Sequence, residues 1–146
     1  MKQDIISYTL VFLQFTGIGF VFITGPWLAE SLAGCIAEGC GLVLILWSVL
    51  AMQIGNFHAS PSVKNNARLV IKGPYHVIRH PMYLSVLLIC GALVADSFTF
   101  YRGIIFLLLF IILTIKILYE ESLLKKHFIE YRLYMKNTNR LIPWIF

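Results

Sequence analysis

Charged residues are scarce in this chain, at 13% of its 146 residues. Hydrophobic residues make up 59%, and the mean hydropathy is +0.81. A typical soluble domain is about 25% charged and roughly 45–50% apolar. The composition therefore excludes an ordinary soluble domain and indicates an integral membrane protein, with residues 1–146 forming one membrane domain.

Cysteine is also rare, with three residues in the whole chain. The odd count, with Cys90 inside an apolar stretch, favours unpaired packing residues, and an outward-facing disulfide between Cys35 and Cys40 is the alternative. The cysteines and the four histidines are scattered and show no CxxC spacing. This pattern argues against a metal or haem site, so we expect no metal.

Four apolar stretches alternate with more polar ones, and no internal repeat is present. Because a crossing needs about 20 apolar residues and a helix satisfies its own backbone in lipid, we predict spanning helices at about 5–29, 41–57, 81–98 and 101–120. The first stretch is too long for a cleaved signal peptide, so we expect it to be retained. The fold class is thus all-α, a polytopic membrane protein in which helices three and four form a tight antiparallel hairpin.

The basic residues lie almost entirely on one side of this arrangement. Eleven of the twelve fall at the N-terminus, in loop 58–80 or towards the tail 121–146, and the exception is Arg102. By the positive-inside rule both termini are cytoplasmic and Arg102 faces outward, and we expect a prokaryotic cytoplasmic membrane. The net charge of +5 is then a topology signal, and we expect no nucleic-acid partner.

The segment "GPYHVIRHPMY" at 73–83 is unusual because it meets water just before the third span. Gly73-Pro74 is typical of a turn, and Pro81 suits the first turn of a helix. Arg79 and His80 therefore lie at the positive end of a helix dipole, where an anion is favoured. The segment also carries two flat amphipathic rings, Tyr75 and Tyr83, for which an aromatic belt at the membrane surface is the alternative role.

A second polar cluster, Glu120 and Glu121, stands where the fourth span leaves the membrane. Because helices three and four are antiparallel, we expect these carboxylates to lie near His80. Two adjacent carboxylates at a helix C-terminus oppose the helix dipole and each other. Either neighbouring lysines compensate them, or they hold the hydroxyls or ammonium of a ligand. Beyond them, apolar and charged residues alternate at helical spacing up to Leu133, which predicts an interfacial amphipathic helix.

Together, "GPY", "RHPMY", "EESLL", "EYRLY" and "RLIP" resemble the isoprenylcysteine carboxyl methyltransferase and phospholipid methyltransferase group of membrane enzymes. The resemblance covers about 73–143 and implies methyl transfer from S-adenosylmethionine to a lipophilic acceptor at the cytoplasmic face. Its departures from the group are Ser85 and Ile129, where members often have glycine. It implies cofactor contacts from Gly73, Pro74, Tyr75, His80, Pro81, Tyr83, Glu120 and Glu121, and arginines at the reacting group, Arg79 and Arg140.

The acceptor itself is not fixed by these residues. A carboxylate is ionised at neutral pH and needs no base, whereas an amine or thiol must lose a proton. A prenylated thiol compound, a lipid headgroup or another hydrophobe all fit, and no oligomeric state is assigned. A small transporter and a non-catalytic membrane subunit are the alternative functions. Because transporters generally need an ionisable residue inside a span, and we expect the apolar cores to lack one, a transporter is disfavoured.

Overall fold

The computed structural model describes residues 2–52 and 69–142, and side chains from residue 5 onward. These residues contain no β-strand, and a 3₁₀ helix at Gly73–His76 precedes α3. The part of predicted loop 58–80 before residue 69 lies outside the described residues. The α-helices are α1 (Lys2–Ile23), α2 (Leu32–Met52), α3 (Pro81–Asp96), α4 (Phe100–His127) and α5 (Tyr131–Lys136).

Three of these helices, α1, α2 and α4, are long and apolar enough to cross a membrane, and α3 is a shorter apolar helix of 16 residues. Their outer surfaces carry many large apolar side chains, such as Phe12 at 70% exposure and Leu50 at 77%. Such surfaces suit lipid and would be costly in water. The chain is an all-α polytopic membrane protein, which confirms the predicted fold class.

The helix bounds differ from the predicted spans for local reasons. α1 ends at Ile23 because Gly25-Pro26 follows, and a residue before proline avoids the helical conformation. α2 begins at Leu32, nine residues before the predicted start, and so includes Glu38, whose carboxylate accepts the Ala29 amide at 2.9 Å. The segment expected to begin an interfacial helix instead extends α4 to His127, and α5 is separate and short.

The helices pack mainly as α2 along α3 and α1 along α4. α3 and α4 are joined by three residues, 97–99, and also contact each other, as the predicted hairpin requires. The core lies between α1, α3 and α4, where Val21, Leu93 and Leu113 are fully buried. This core sets the relative position of the α3 start and the α4 end.

Small residues allow α2 and α3 to approach closely. A Cβ at Gly41 would lie 2.7 Å from Ile89 Cγ1 and 3.0 Å from the Ser85 carbonyl oxygen. Ser85 is fully buried, and its hydroxyl donates to the Met82 carbonyl at 2.7 Å. Ser85 therefore acts as a small packing residue, a common device between membrane helices.

At the end of the bundle where α3 joins α4, polar side chains fix the loop between α1 and α2. Asp96 accepts the amides of Glu30 and Ser31 at 2.6 and 2.7 Å, and the Ser31 hydroxyl accepts the Gly34 amide at 3.0 Å. Ser31 thus acts as the N-cap of α2. Asp96 places a negative charge near the positive end of the α2 dipole, which stabilises this helix start.

The arginine predicted to face outward, Arg102, is fully buried at the same end. It donates to the Leu93 carbonyl at 2.9 Å, and its guanidinium lies so close to Gly25 that a Cβ there would be 1.6 Å from Nη1. Arg102 therefore ties the loop after α1 to the end of α3.

Candidate active site

The polar cluster at the other end of the bundle starts from a tight turn. Gly73 has φ +60, a left-handed conformation that side chains other than glycine's disfavour. A Cβ there would also meet Ala51 Cβ and Trp47 Nε1 at 3.0 Å. Glycine at this position lets the 3₁₀ helix pack against the end of α2. Pro74, the second residue of the 3₁₀ helix, is buried.

Tyr75 is buried in this 3₁₀ helix and is joined to the tail. Its carbonyl accepts the Tyr134 hydroxyl at 2.5 Å. Its own hydroxyl is buried and has no hydrogen-bond partner in the described part of the chain. Burial raises the pKa of the Tyr75 hydroxyl well above its ordinary value, so this group stays protonated.

His80 is the N-cap residue of α3, and Pro81 opens the helix as predicted. The His80 ring is buried and stacks on Tyr83, with the ring centroids 5.7 Å apart and the planes 7° apart. Its Nδ1 lies 3.5 Å from Glu120 Oε2, and its Nε2 lies 3.7 Å from Glu121 Oε1. The predicted meeting of His80 with both carboxylates is therefore present.

Two opposing effects set the charge of His80. Burial alone lowers the pKa of the imidazole, but the nearby carboxylates of Glu120 and Glu121 more than offset it, and the pKa is raised. The protonated imidazole is thus favoured. Its Nε2 makes no hydrogen bond within the described residues, because 3.7 Å is too long for one.

Glu121 lies at the centre of a buried ion-pair network. Its side chain is 1% exposed, with Oε1 2.8 Å from Arg79 Nε and Oε2 3.2 Å from Arg140 Nε. Arg79 also donates to the carbonyls of Met135 and Thr138. The start of α3, the end of α4 and the tail therefore meet at one carboxylate.

The backbone reinforces this meeting. The Arg79 amide donates to the Asn139 carbonyl at 2.8 Å, and the His80 amide donates to the Arg140 carbonyl at 3.1 Å. Ile78 and Asn139 form an isolated parallel bridge. The residues after α5 thus lie alongside the segment before α3.

Glu120 is less enclosed than its neighbour, with a side chain 18% exposed. It accepts the Tyr83 hydroxyl at 2.5 Å in addition to facing His80. Glu120 is therefore the carboxylate better placed to reach a ligand, whereas Glu121 is enclosed by two arginines.

The predicted site residues divide into three groups in the structure. The first group makes direct contacts through the two glutamates. The second group, Gly73, Pro74 and Pro81, shapes the backbone. The third is Tyr75, which lies beside the cluster and whose pKa is raised in part by the charge of Glu120. The directly contacting group is Arg79, His80, Tyr83, Glu120, Glu121 and Arg140.

Sequence reasoning missed residues at this site. Lys116 is buried within α4, and its Nζ donates to Gln14 Oε1 at 2.7 Å. The expectation that the apolar cores lack an ionisable side chain was therefore wrong. The tail residues Tyr134 and Thr138 were also missed because no periodic pattern marks them. Lys116 did carry a signal, since a charge among apolar residues inside a span is generally functional.

The histidines do not form a metal centre in the described part of the chain. His76 and His80 have i,i+4 spacing, but His76 is exposed and the 3₁₀ helix ends at His76, so the backbone between the two histidines is not helical. Within residues 2–52 and 69–142, no group of three or more His, Cys, Asp or Glu side chains is close enough to hold a metal ion.

Comparison with known proteins identifies the family of the chain. The sequence model of the phospholipid methyltransferase family matches residues 29–130, more than half of the chain. This region begins before α2 and ends just before α5, so it includes both polar segments that build the cluster. No curated protein matches the chain significantly. The chain belongs to the phospholipid methyltransferase family of membrane proteins, whose members methylate lipid-type substrates.

Proposed function

We propose that this protein transfers a methyl group from S-adenosylmethionine to a lipophilic acceptor at the cytoplasmic face of the membrane. The observation that carries the proposal is the convergence of His80, Tyr83 and Glu120 at one end of the bundle. Residues 1–146 then act as one methyltransferase domain. The excess of basic residues at this end supports a cytoplasmic orientation.

The polar atoms of the cluster fit a cofactor that carries an amino acid, a ribose and an adenine. Five buried polar atoms lack a hydrogen-bond partner among the described residues, and three of them lie at this end of the bundle: the Tyr75 hydroxyl, His80 Nε2 and the Tyr131 hydroxyl. Buried polar groups in proteins are nearly always paired, so unpaired ones indicate a ligand or water. Burial raises the pKa of Tyr131 above its ordinary value, so both tyrosines remain available as donors.

Glu120 is the group we assign to an ammonium or to ribose hydroxyls, because it is the more exposed carboxylate. When bound, S-adenosylmethionine supplies a sulfonium methyl group, and the C–S electron pair stays on sulfur as the acceptor forms its bond to carbon. The protein aligns the acceptor for this displacement and excludes water.

The two predicted catalytic arginines receive different roles. Arg79 is 7% exposed and is engaged by Glu121 and the tail carbonyls, so we assign it a positioning role. Arg140 is 29% exposed at its side chain while paired to Glu121. Arg140 is therefore the better candidate to orient an acceptor carboxylate by a bidentate pair.

An amine or thiol acceptor would instead need a proton to be removed. His80 is poorly suited as the base, because its two carboxylate neighbours favour its protonated form. Glu120, the more exposed of the two carboxylates, is the better candidate for this role. The acceptor that binds therefore decides whether Arg140 orients a carboxylate or Glu120 removes a proton from an amine or thiol.

The test is calorimetric titration of detergent-purified protein with S-adenosylhomocysteine, the demethylated product. We expect saturable binding by wild type, weakened about tenfold or more in Glu120→Gln and His80→Ala, since each removes a charged hydrogen-bonding group. Glu130→Gln removes an exposed carboxylate in the tail and is the matched control.

A folded, monodisperse wild type that does not bind would overturn the proposal. That result would favour the small-transporter alternative, for which the buried Lys116 of α4 is the supporting observation. Flux of a charged solute into proteoliposomes, lost in Lys116→Met, would then be the next measurement.

A further inference from the structure

The exposed side of the tail combines apolar and basic side chains. Ile129, between α4 and α5, is 95% exposed, and Leu133 on α5 is 65% exposed. The side chains of Arg132 and Lys136 on α5 are also exposed, as is that of Glu130. We call these five exposed residues the tail surface, which is partly apolar and has a net positive charge.

The other side of the same segment is joined to the candidate active site. Tyr131 is 1% exposed, and the Tyr134 hydroxyl donates to the Tyr75 carbonyl at 2.5 Å. The Thr138 carbonyl accepts a hydrogen bond from Arg79. These contacts fix which side of the tail is turned inward, so the exposure of the tail surface belongs to the folded arrangement of the chain.

The sequence around the tail surface is typical of a segment that lies on a membrane. Single exposed apolar residues are common on surfaces that face water. Ile129 and Leu133 differ from such cases because they lie within 12 residues, 125–136, that include four exposed basic side chains. Large apolar side chains interspersed with lysine and arginine favour the boundary between headgroups and acyl chains. The four basic residues are Lys125, Lys126, Arg132 and Lys136.

The tail surface also lies at the level expected for lipid headgroups. Because His80 faces Glu120, the start of α3 is level with Glu120 on α4. From there α4 continues to His127, which adds about 10 Å at 1.5 Å per residue. The chain then returns, since Asn139 pairs with Ile78 just before α3. The headgroup layer on each side of a bilayer is about 5–8 Å thick, so α5 passes through the level of this layer.

We propose that the tail surface binds the acidic lipid headgroups of the membrane in which the protein is embedded. The argument for this occupant is charge complementarity, since the four basic residues of 125–136 face a single exposed carboxylate, that of Glu130. Acidic lipids attract lysine and arginine next to a membrane surface. Ile129 and Leu133 enter the headgroup layer beside them. This docking holds the tail in the position where Arg140 pairs with Glu121, and it does not depend on methyl transfer.

Hydrogen–deuterium exchange of the full chain in lipid nanodiscs tests this proposal. The probes are nanodiscs of phosphatidylcholine alone and of phosphatidylcholine mixed with phosphatidylglycerol. Backbone amides of 129–137 should exchange about tenfold more slowly in the acidic nanodiscs, because a tail bound to lipid opens less often. Added salt should reduce this difference, since it screens exposed charges. Amides in the middle of α1 are the internal reference and should exchange equally in both.

Variants connect the effect to named side chains. Arg132→Gln combined with Lys136→Gln should remove most of the difference between the two lipid compositions, whereas Arg132→Lys combined with Lys136→Arg should retain it. Lys72→Gln removes an exposed basic residue outside the tail and is the matched control. Ile129→Ser should speed exchange of the tail in both compositions, because burial of an apolar side chain does not require lipid charge.

The outcomes are distinct from those of the proposed function, because exchange is measured without a cofactor. Equal exchange of the wild-type tail in the two lipid compositions overturns the proposal and favours an acidic protein partner for the tail surface. Slower exchange in acidic nanodiscs that persists in the variant lacking Arg132 and Lys136 also overturns it. Slower exchange that is lost in this variant and kept in Lys72→Gln supports it, whether or not the protein binds S-adenosylhomocysteine.

Discussion

Arg79 and Glu121 are 42 positions apart in sequence, yet Arg79 Nε lies 2.8 Å from Glu121 Oε1. The two side chains are 7% and 1% exposed, so this ion pair is withdrawn from solvent. Arg140, from the tail, pairs with the second oxygen of the same carboxylate. Glu121 thus connects three segments, which gives it a structural role in addition to any contact with a cofactor.

Removal of this carboxylate should destabilise the protein. Glu121→Ala leaves two arginines without their shared partner, and breaking a buried ion pair typically costs about 3–5 kcal/mol. We expect a clearly lower melting temperature in detergent, measured by scanning fluorimetry. Glu130→Gln, at an exposed position, should melt like wild type. Equal melting of Glu121→Ala and wild type would show that the network adds no stability.

His80 predicts a pH dependence of stability. Its folded pKa is raised, because the nearby carboxylates of Glu120 and Glu121 outweigh burial, with Arg79 and Arg140 paired to Glu121 nearby. Because the pKa is raised by folding, protonation of His80 stabilises the fold. This stabilisation is fully present below the ordinary pKa of 6.5 and is lost as the pH rises through the folded pKa. The melting temperature of wild type should therefore fall above about pH 6.5 more steeply than that of His80→Phe.

The matched control for this pH series is His127→Asn, which removes an exposed imidazole at the end of α4. Its melting profile should follow that of wild type between pH 5 and 9, roughly the range in which histidine titrates. Parallel profiles for wild type and His80→Phe would contradict the assigned protonation of His80.

The meeting of His80 with Glu120 could be predicted from the sequence for a simple reason. An antiparallel hairpin with a short connection places the start of one helix beside the end of the next. The two polar segments could therefore be paired across forty residues. The ion pair of Arg79 with Glu121 belongs to the same geometry, although its burial became evident only in the folded chain.

The contacts of the tail could not be predicted in the same way. Asn139 pairs with the segment before α3 through backbone groups, which every residue possesses and no sequence pattern reveals. The burial of Lys116 could not be predicted for another reason. Lys116 lies near the polar end of a long apolar run, a position typical of a residue at the membrane surface. Its hydrogen bond to Gln14 joins α4 to α1, and helix pairing across the bundle leaves no local signal.

The turn before α3 depends on glycine at position 73. Gly73→Ala would force a side chain into a left-handed backbone, which costs roughly 1–2 kcal/mol. It would also bring a Cβ to 3.0 Å from Ala51 and Trp47. We expect a lower melting temperature for this variant. Gly19→Ala is the control, because a Cβ there meets nothing within 4 Å and alanine favours a helix.

The hydrogen bond from the Tyr134 hydroxyl to the Tyr75 carbonyl, at 2.5 Å, should hold the tail against the 3₁₀ helix. Burial raises the pKa of Tyr134 to about 12, so its hydroxyl donates over the whole physiological range. Tyr134→Phe removes one hydrogen bond, a loss of about 1 kcal/mol. The population of detached tail should rise about fivefold.

Limited trypsin digestion measures this detachment, because Arg132 and Lys136 are exposed tail residues at which the protease cuts. When opening is fast relative to cleavage, the cleavage rate follows the population of the open form. Tyr134→Phe should then be cut in the tail about fivefold faster than wild type. Tyr101→Phe, at the far end of the bundle, should be cut at the wild-type rate. Equal cleavage of Tyr134→Phe and wild type would mean that other contacts, such as those of Arg79 with Thr138, hold the tail alone.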